Sequence, residues 1–314
     1  MAKLPDVNLV FIVAEAGIIG LFLLCFWQAW REKENDGGRG IVLLVSAAFF
    51  AGIFEDLNVR QLSGRGSYFY HDAFLLDIDR VPLFIILAWA IILWGAMHLS
   101  DAAPLPLAAR MGSDAVWAVL LDLSFDVTAI RYEFWTWRGF GFDQAWFGVP
   151  AGNFFGWLWV SLAFASLSRA LWQRKPRGAA WMQLFLVPPL GFLLYRALEG
   201  TTNFLLIKAG WTSDNASLMA FFAVFALLTG AIAVTPKIEK KTTATKSTAA
   251  RSSETLVHGS RVAFHLFAVL GLLALPIDAP GMEHRSLLLL IAVLIGVFDW
   301  FLQKWIMDKH NYGS

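Results

Sequence analysis

Charged side chains are scarce in this chain. Asp, Glu, Lys and Arg make up 16% of its 314 residues, where a soluble domain carries about a quarter. That shortage excludes an ordinary water-soluble globule. Cysteine is nearly absent too: Cys25 stands alone inside an apolar run, so there is no disulfide framework and no cysteine-based metal site. The histidines His71, His98, His258, His265, His284 and His310 form no HxxxH or HxxHH box. This argues against a di-iron membrane hydroxylase or desaturase, and His71 beside Asp72 reads as a surface pair. No GxGxxG follows a strand and there is no P-loop, so no nucleotide cradle is expected. The expectation is a reaction without cofactor or metal. A net charge of +1 gives no sign of nucleic acid as a partner. No small-residue cleavage site follows the first apolar run, and "CFWQAWREKEN" looks like a helix leaving a membrane, not a signal peptide. No internal repeat is visible at any fixed period.

Apolar residues fill the space left by charge, at 58% with a mean hydropathy of +0.59. They come in long runs separated by short charged strips. Nine spans of about 20 residues follow, near 7–30, 40–59, 81–99, 114–131, 152–173, 180–207, 216–235, 261–278 and 285–306. The fold class is therefore read as all-α, a polytopic integral membrane helical bundle of about eight to nine transmembrane helices. Pro188 and Pro189 should kink or break the sixth span. Segment 236–259 is polar and rich in Thr, Ser, Ala and Lys, the composition of a flexible loop outside the membrane. It divides a transmembrane domain, 1–235, from a C-terminal pair of helices, 260–314. About twice as many Lys and Arg fall on the side of Arg31, Arg174 and Lys240 as on the side of Arg60, Arg138 and Lys208, which makes the first side cytoplasmic. The N-terminus is then outside and the C-terminus inside, with a bacterial plasma membrane as the natural setting.

A charge inside a bilayer needs a reason. The candidates are Glu15, Glu55, Asp56, Asp122, Asp126, Arg196, Glu199 and Asp299. The helix order brings most of them to one end of the bundle, with Asn153 and Asn203. Asp122 and Asp126 are four apart and share a helix face. Two like charges there repel, so one is expected to hold a proton and serve as a donor. The bland alternative pairs them with Arg131, Arg138 or Arg196. That bland reading is preferred for Asp56 and Asp299, and a functional one for Glu55, Asp122 and Asp126. The stretch "RYEFWTWRGFGFDQAWFGVPAGNFFGW" is too apolar to hang in water. Part of it reads as an interfacial aromatic belt, and the whole is expected to fold back as a lid or re-entrant piece against the polar cluster. Pro150 suits a helix start. Asn153 either caps that helix or turns inward to a ligand or water.

"FGVPAGNFFGW", preceded by "LLDLSFDVTAIRYEFWTW", resembles the signature of a membrane carotenoid-biosynthesis family, the one that includes CruF-type carotenoid 1,2-hydratases and bisanhydrobacterioruberin hydratases. Glu55 followed by "GSYFYHDAFLLDIDRVPLFIILAW" is similar to a second part of that signature. Val127 stands where the family pattern leads one to expect proline after Asp126. The resemblance implies a hydro-lyase that adds water to the terminal double bond of an acyclic carotene and yields a tertiary alcohol. Such chemistry needs an acid, a stabilised cation and a base for water. The candidates are Asp126 or Asp122 as acid, Glu55 or Glu199 as base and Asn153 to position water. Trp135, Trp137 and Trp157 would face the cation. Trp146, Phe154, Tyr68 and Tyr70 complete the expected substrate-binding set. The implied partners are a carotenoid drawn from the bilayer, membrane lipid and other enzymes of the carotenoid pathway. A related isoprenoid cyclase, a proton-coupled transporter and a non-catalytic pigment-binding subunit are the alternatives.

Overall fold

The computed structural model describes residues 7–61, 63–174, 176–236 and 248–308. Helices α1 (Val7–Asp36) and α2 (Arg39–Gln61) are joined by a tight turn. Gly37 and Gly38 make it at φ 65° and 78°, a region glycine enters without a Cβ penalty. The Asp36 carboxylate closes it by accepting the amides of Gly38 at 2.8 Å and Gly40 at 2.7 Å. Helices α3 (Leu83–Ala102), α4 (Leu107–Ala129) and α5 (Ala151–Arg174) each follow a proline, Pro82, Pro106 and Pro150, whose fixed φ suits a helix start. The sixth span is broken as its two prolines require. Helices α6 (Ala179–Phe185) and α7 (Val187–Lys208) meet at a 51° bend beside Pro188. Helix α8 (Asp214–Val234) is capped by Ser213, whose hydroxyl accepts the Ala216 amide at 3.3 Å.

Helices α9 (Thr248–Ala274) and α10 (Arg285–Asp308) complete the bundle. Of the expected loop 236–259, residues 237–247 lie outside the described residues, and 248–259 are the first turns of α9 instead. Ala249, Ala250, Arg251 and Glu254 favour that helix, and Val257 is buried. The pair is docked on α4. Thr128 donates to the Ala268 carbonyl at 3.1 Å and Tyr132 to that of Gly271 at 2.9 Å.

Among the described residues, seven helices are long and apolar enough to cross a membrane, and the bent α6–α7 pair makes an eighth if it is one span. Helix α4, expected as a ninth, is too polar, with Asp114, Asp122 and Asp126 along its length. Every residue from Gly112 to Ala129 is buried, and α3, α5, α8, α9 and α10 pack against this helix. A helix so enclosed needs no apolar face toward lipid. Its neighbours carry that face: Met219, Leu227 and Val234 of α8 and Leu290, Leu294 and Phe301 of α10 are all exposed.

Two short antiparallel ribbons add strands that the apolar spacing does not announce. Strand β1 (Tyr68–Tyr70) pairs with β4 (Trp135–Trp137), and β2 (Asp77–Ile78) with β3 (Val81–Pro82). Tyr68 lies opposite Trp137 and Tyr70 opposite Trp135. The two-residue period of a strand gathers these four rings on one face, while Phe69 and Thr136 are exposed. Glu15 anchors the neighbouring loop by accepting the amides of Leu75 at 2.9 Å and Leu76 at 3.1 Å.

The aromatic stretch after α4 folds back over this end. Arg131 organises it by donating to the carbonyls of Val127 at 2.7 Å, Phe147 at 3.2 Å and Gly281 at 2.9 Å. Burial pushes its guanidinium down to about 10, so it stays charged at neutral pH. Gly148 sits at φ 96°, where a Cβ would lie 2.9 Å from Ile130 Cδ1. That backbone turns the chain inward just before Pro150 and α5.

Candidate active site

Glu55, near the end of α2, is 5% exposed and is served by three neutral donors. Tyr68 and Tyr70 both donate to Oε2, Tyr70 at 2.7 Å. Trp89 of α3 donates its indole N–H to Oε1 at 2.7 Å. Both phenols reach Glu55 because alternate residues of β1 share a face. Burial, and then the charge of Glu55, push the phenols of Tyr68 and Tyr70 well above their ordinary range, so both remain donors. Hydrogen bonds to a charged group contribute about 1.5–3 kcal/mol each, which holds this carboxylate firmly with no cation bound to it among the described residues.

Across from it, Asp122 and Asp126 stand one turn apart on α4, both buried. Asn153 is the third residue of α5, and its side chain turns inward and does not cap the helix. Its Nδ2 lies 3.1 Å from both oxygens of Asp122 and 2.7 Å from Asp126 Oδ2. One amide nitrogen has two hydrogens for these three oxygens. Asp126 Oδ1 has no partner among the described residues. None of the three arginines offered as partners reaches the pair. Arg131 binds carbonyls, Arg138 lies over the Phe69 ring at 5.4 Å, and Arg196 binds Glu199 at 2.5 Å.

Between the two walls lies a cavity of about 180 Å³, lined by Glu55, Tyr68, Tyr70 and Trp89 and by Asp126 and Asn153. Trp135, Trp137 and Trp157 present rings to it, and Glu199 and Asn203 line its α7 side. Trp157 packs 4.1 Å from Trp89. Asp122 lies behind Asn153. Two expected substrate-binding residues are elsewhere. Trp146 donates to the Leu123 carbonyl at 3.0 Å and packs against Phe222. Phe154 is fully buried against Phe221. The helical period explains the second: Asn153 and Trp157, four apart, face the cavity and Phe154 turns away. Sequence reasoning missed Trp89, Asn58, Tyr195 and Phe264, all of which line the cavity. Asn58 had a usable signal in its three-residue spacing from Glu55 on one helix face. Phe264 had none, because only the docking of α9 brings it here. Among the described residues, no group of three or more His, Cys, Asp or Glu side chains is placed to hold a metal ion.

The family model described as carotenoid biosynthesis protein matches residues 7–227. The chain belongs to this family. No curated protein and no solved structure matches it. For this carotenoid biosynthesis protein the matched stretch contains both walls of the cavity, and of the lining residues only Phe264 lies outside it. Family membership and the seven or eight apolar spans of the described residues together make it an integral membrane protein with an enzymatic role in making carotenoids.

Proposed function

We propose that the protein is a carotenoid hydratase that adds water to the terminal C=C of an acyclic carotene. The observation that carries this reading is the Asp122–Asp126–Asn153 cluster facing the Glu55 cage across an aromatic-lined cavity. Asp126, whose Oδ1 lacks a partner among the described residues and belongs to a cavity-lining side chain, donates a proton to the CH carbon of the terminal C=C, which leaves the cation on the end carbon that bears the two methyl groups. Asp122 and Asn153 hold it in place. The tertiary cation that forms is stabilised by the Glu55 carboxylate and by the faces of Trp135, Trp137 and Trp157. Glu199, at the α7 side, takes the proton that the captured water releases. The cavity admits the end of a polyene but not its whole length, so the rest of the substrate extends into the bilayer from which it comes. In this reading the site faces the outer side of a bacterial plasma membrane, with the C-terminus in the cytoplasm.

The test is pigment analysis by liquid chromatography and mass spectrometry in a lycopene-producing bacterial host. Wild type is compared with Asp126→Asn and Glu55→Gln. A product heavier by one water, lost in either variant while the protein still reaches the membrane, supports the hydratase. A new product of unchanged mass would instead indicate a cyclase, and an unchanged pigment profile with good expression would sink simple lycopene hydration.

A further inference from the structure

We propose that Asn58 and Trp137 form an oxygen-binding subsite that holds the reacting water in this cavity. The inference rests on the hydration reading and adds where the water sits. Glu55, the obvious water-binding carboxylate, is already engaged by Tyr68, Tyr70 and Trp89. Two other polar groups beside it are not engaged. Asn58, one turn further along α2, is 5% exposed and donates its amide N–H to Tyr195 at 3.1 Å. Its Oδ1 is buried without a partner among the described residues. Trp137, in β4, is 8% exposed and packs 4.9 Å from the Tyr68 ring. Its indole N–H is buried without a partner as well. Both residues line the cavity.

Buried polar atoms in folded proteins are nearly always hydrogen-bonded, and each exception calls for an explanation. Here one is an acceptor and the other a donor. The hydrocarbon end of a carotene can satisfy neither. A water molecule satisfies both, giving a hydrogen to Asn58 Oδ1 and taking one from Trp137 Nε1. It keeps a second lone pair for the cation. A third buried atom of the cavity lining without a partner among the described residues, Asp126 Oδ1, belongs to the opposite wall, where the acid is needed. The step balances. Asp126 transfers a proton to the CH carbon of the terminal C=C, whose new C–H bond takes the alkene π electrons and leaves the tertiary cation on the end carbon that bears the two methyl groups. The water oxygen forms the C–O bond with its lone pair. The resulting oxonium loses one proton to the Glu199 carboxylate, and solvent then removes that proton and restores the one on Asp126.

Deuterium separates the acid step from the water step. Membranes carrying the full chain are incubated with unlabelled lycopene in D₂O. Trp137→Phe keeps an aromatic ring and removes the N–H, while Asn58→Leu keeps the approximate volume and removes the acceptor. Each is expected to lower hydrated product at least tenfold, while recovered lycopene gains deuterium at its end groups as the uncaptured cation returns a proton. Asp126→Asn should lose both signals. Hydration within twofold of wild type in both variants would overturn the subsite. So would joint loss of hydration and exchange in variants present at normal level. If wild-type membranes neither add water nor exchange deuterium, the hydration reading fails and takes the subsite with it.

Discussion

Carboxylates in this bundle live in two kinds of surroundings. Away from the cavity, Asp114 and Asp299 meet cations. Asp114 is gripped by Arg169 through two bonds, at 2.6 and 2.9 Å, and Arg169 also binds Asp101. Asp299 is held by Arg261 at 2.7 and 3.0 Å, with His265 at 3.1 Å and Gln303 at 2.7 Å. At the cavity, Glu199 pairs with Arg196 at the α7 side, but the phenol, indole and amide donors to Glu55, Asp122 and Asp126 among the described residues are all neutral. A guanidinium fork commits a carboxylate to its charged form and fixes two helices together. Neutral donors position a carboxylate and leave it able to exchange a proton. The first arrangement suits assembly of the bundle, and the second suits acid–base work.

Removing the cation from a buried pair gives the largest expected effect. Arg169→Met strands Asp114, while Asp101 keeps Arg39 and Arg110, and should cost about 3–5 kcal/mol, read as a fall in the thermal midpoint in detergent and in the amount reaching the membrane. Asp126→Asn should do the reverse. The protein accumulates normally, but product formation drops by about a hundredfold or more, the range for a lost general acid. An unfolded Asp126→Asn, or a folded but inactive Arg169→Met, would erase the distinction between the two ends. Tyr68→Phe sharpens it. Glu55 keeps Tyr70 and Trp89 and loses one donor, so turnover should fall about tenfold, equivalent to about 1.4 kcal/mol, at near-wild-type stability. Gly148→Ala forces a side chain into the left-handed region and toward Ile130, with an expected loss of about 1–2 kcal/mol in thermal or denaturant unfolding. Arg60→Ala, which breaks a half-exposed pair with Asp56, should shift stability by less than about 1 kcal/mol and leave product formation unchanged.

Most of the helix inventory was legible from apolar run length, including the break at Pro188 and Pro189. Helix α4 was legible only in part. Its length and position could be read, but its three aspartates belong to a helix wrapped by protein. A structural role for Asp56 and Asp299 was expected through Arg131, Arg138 or Arg196, but their partners are Arg60 and Arg261. The role of Glu15 as an anchor for two backbone amides was not foreseen, since nothing local distinguishes it from Glu55. The β1–β4 ribbon escaped notice because three-residue strands far apart in sequence carry no periodic signal of their own. Trp146 and Phe154 were assigned to the substrate from aromatic density alone, which says nothing of the direction a ring faces.

By itself, the sequence determined that this chain is a helical membrane protein whose polar groups meet at one end, because hydropathy and helix order are properties of the chain alone. Tertiary structure decided which of those groups face one another. Whether a buried carboxylate meets a guanidinium or an amide depends on side-chain direction across helices that lie far apart in sequence. Asp114 and Asp126 occupy the same helix, and only the packing of α5 gives one Arg169 and the other Asn153.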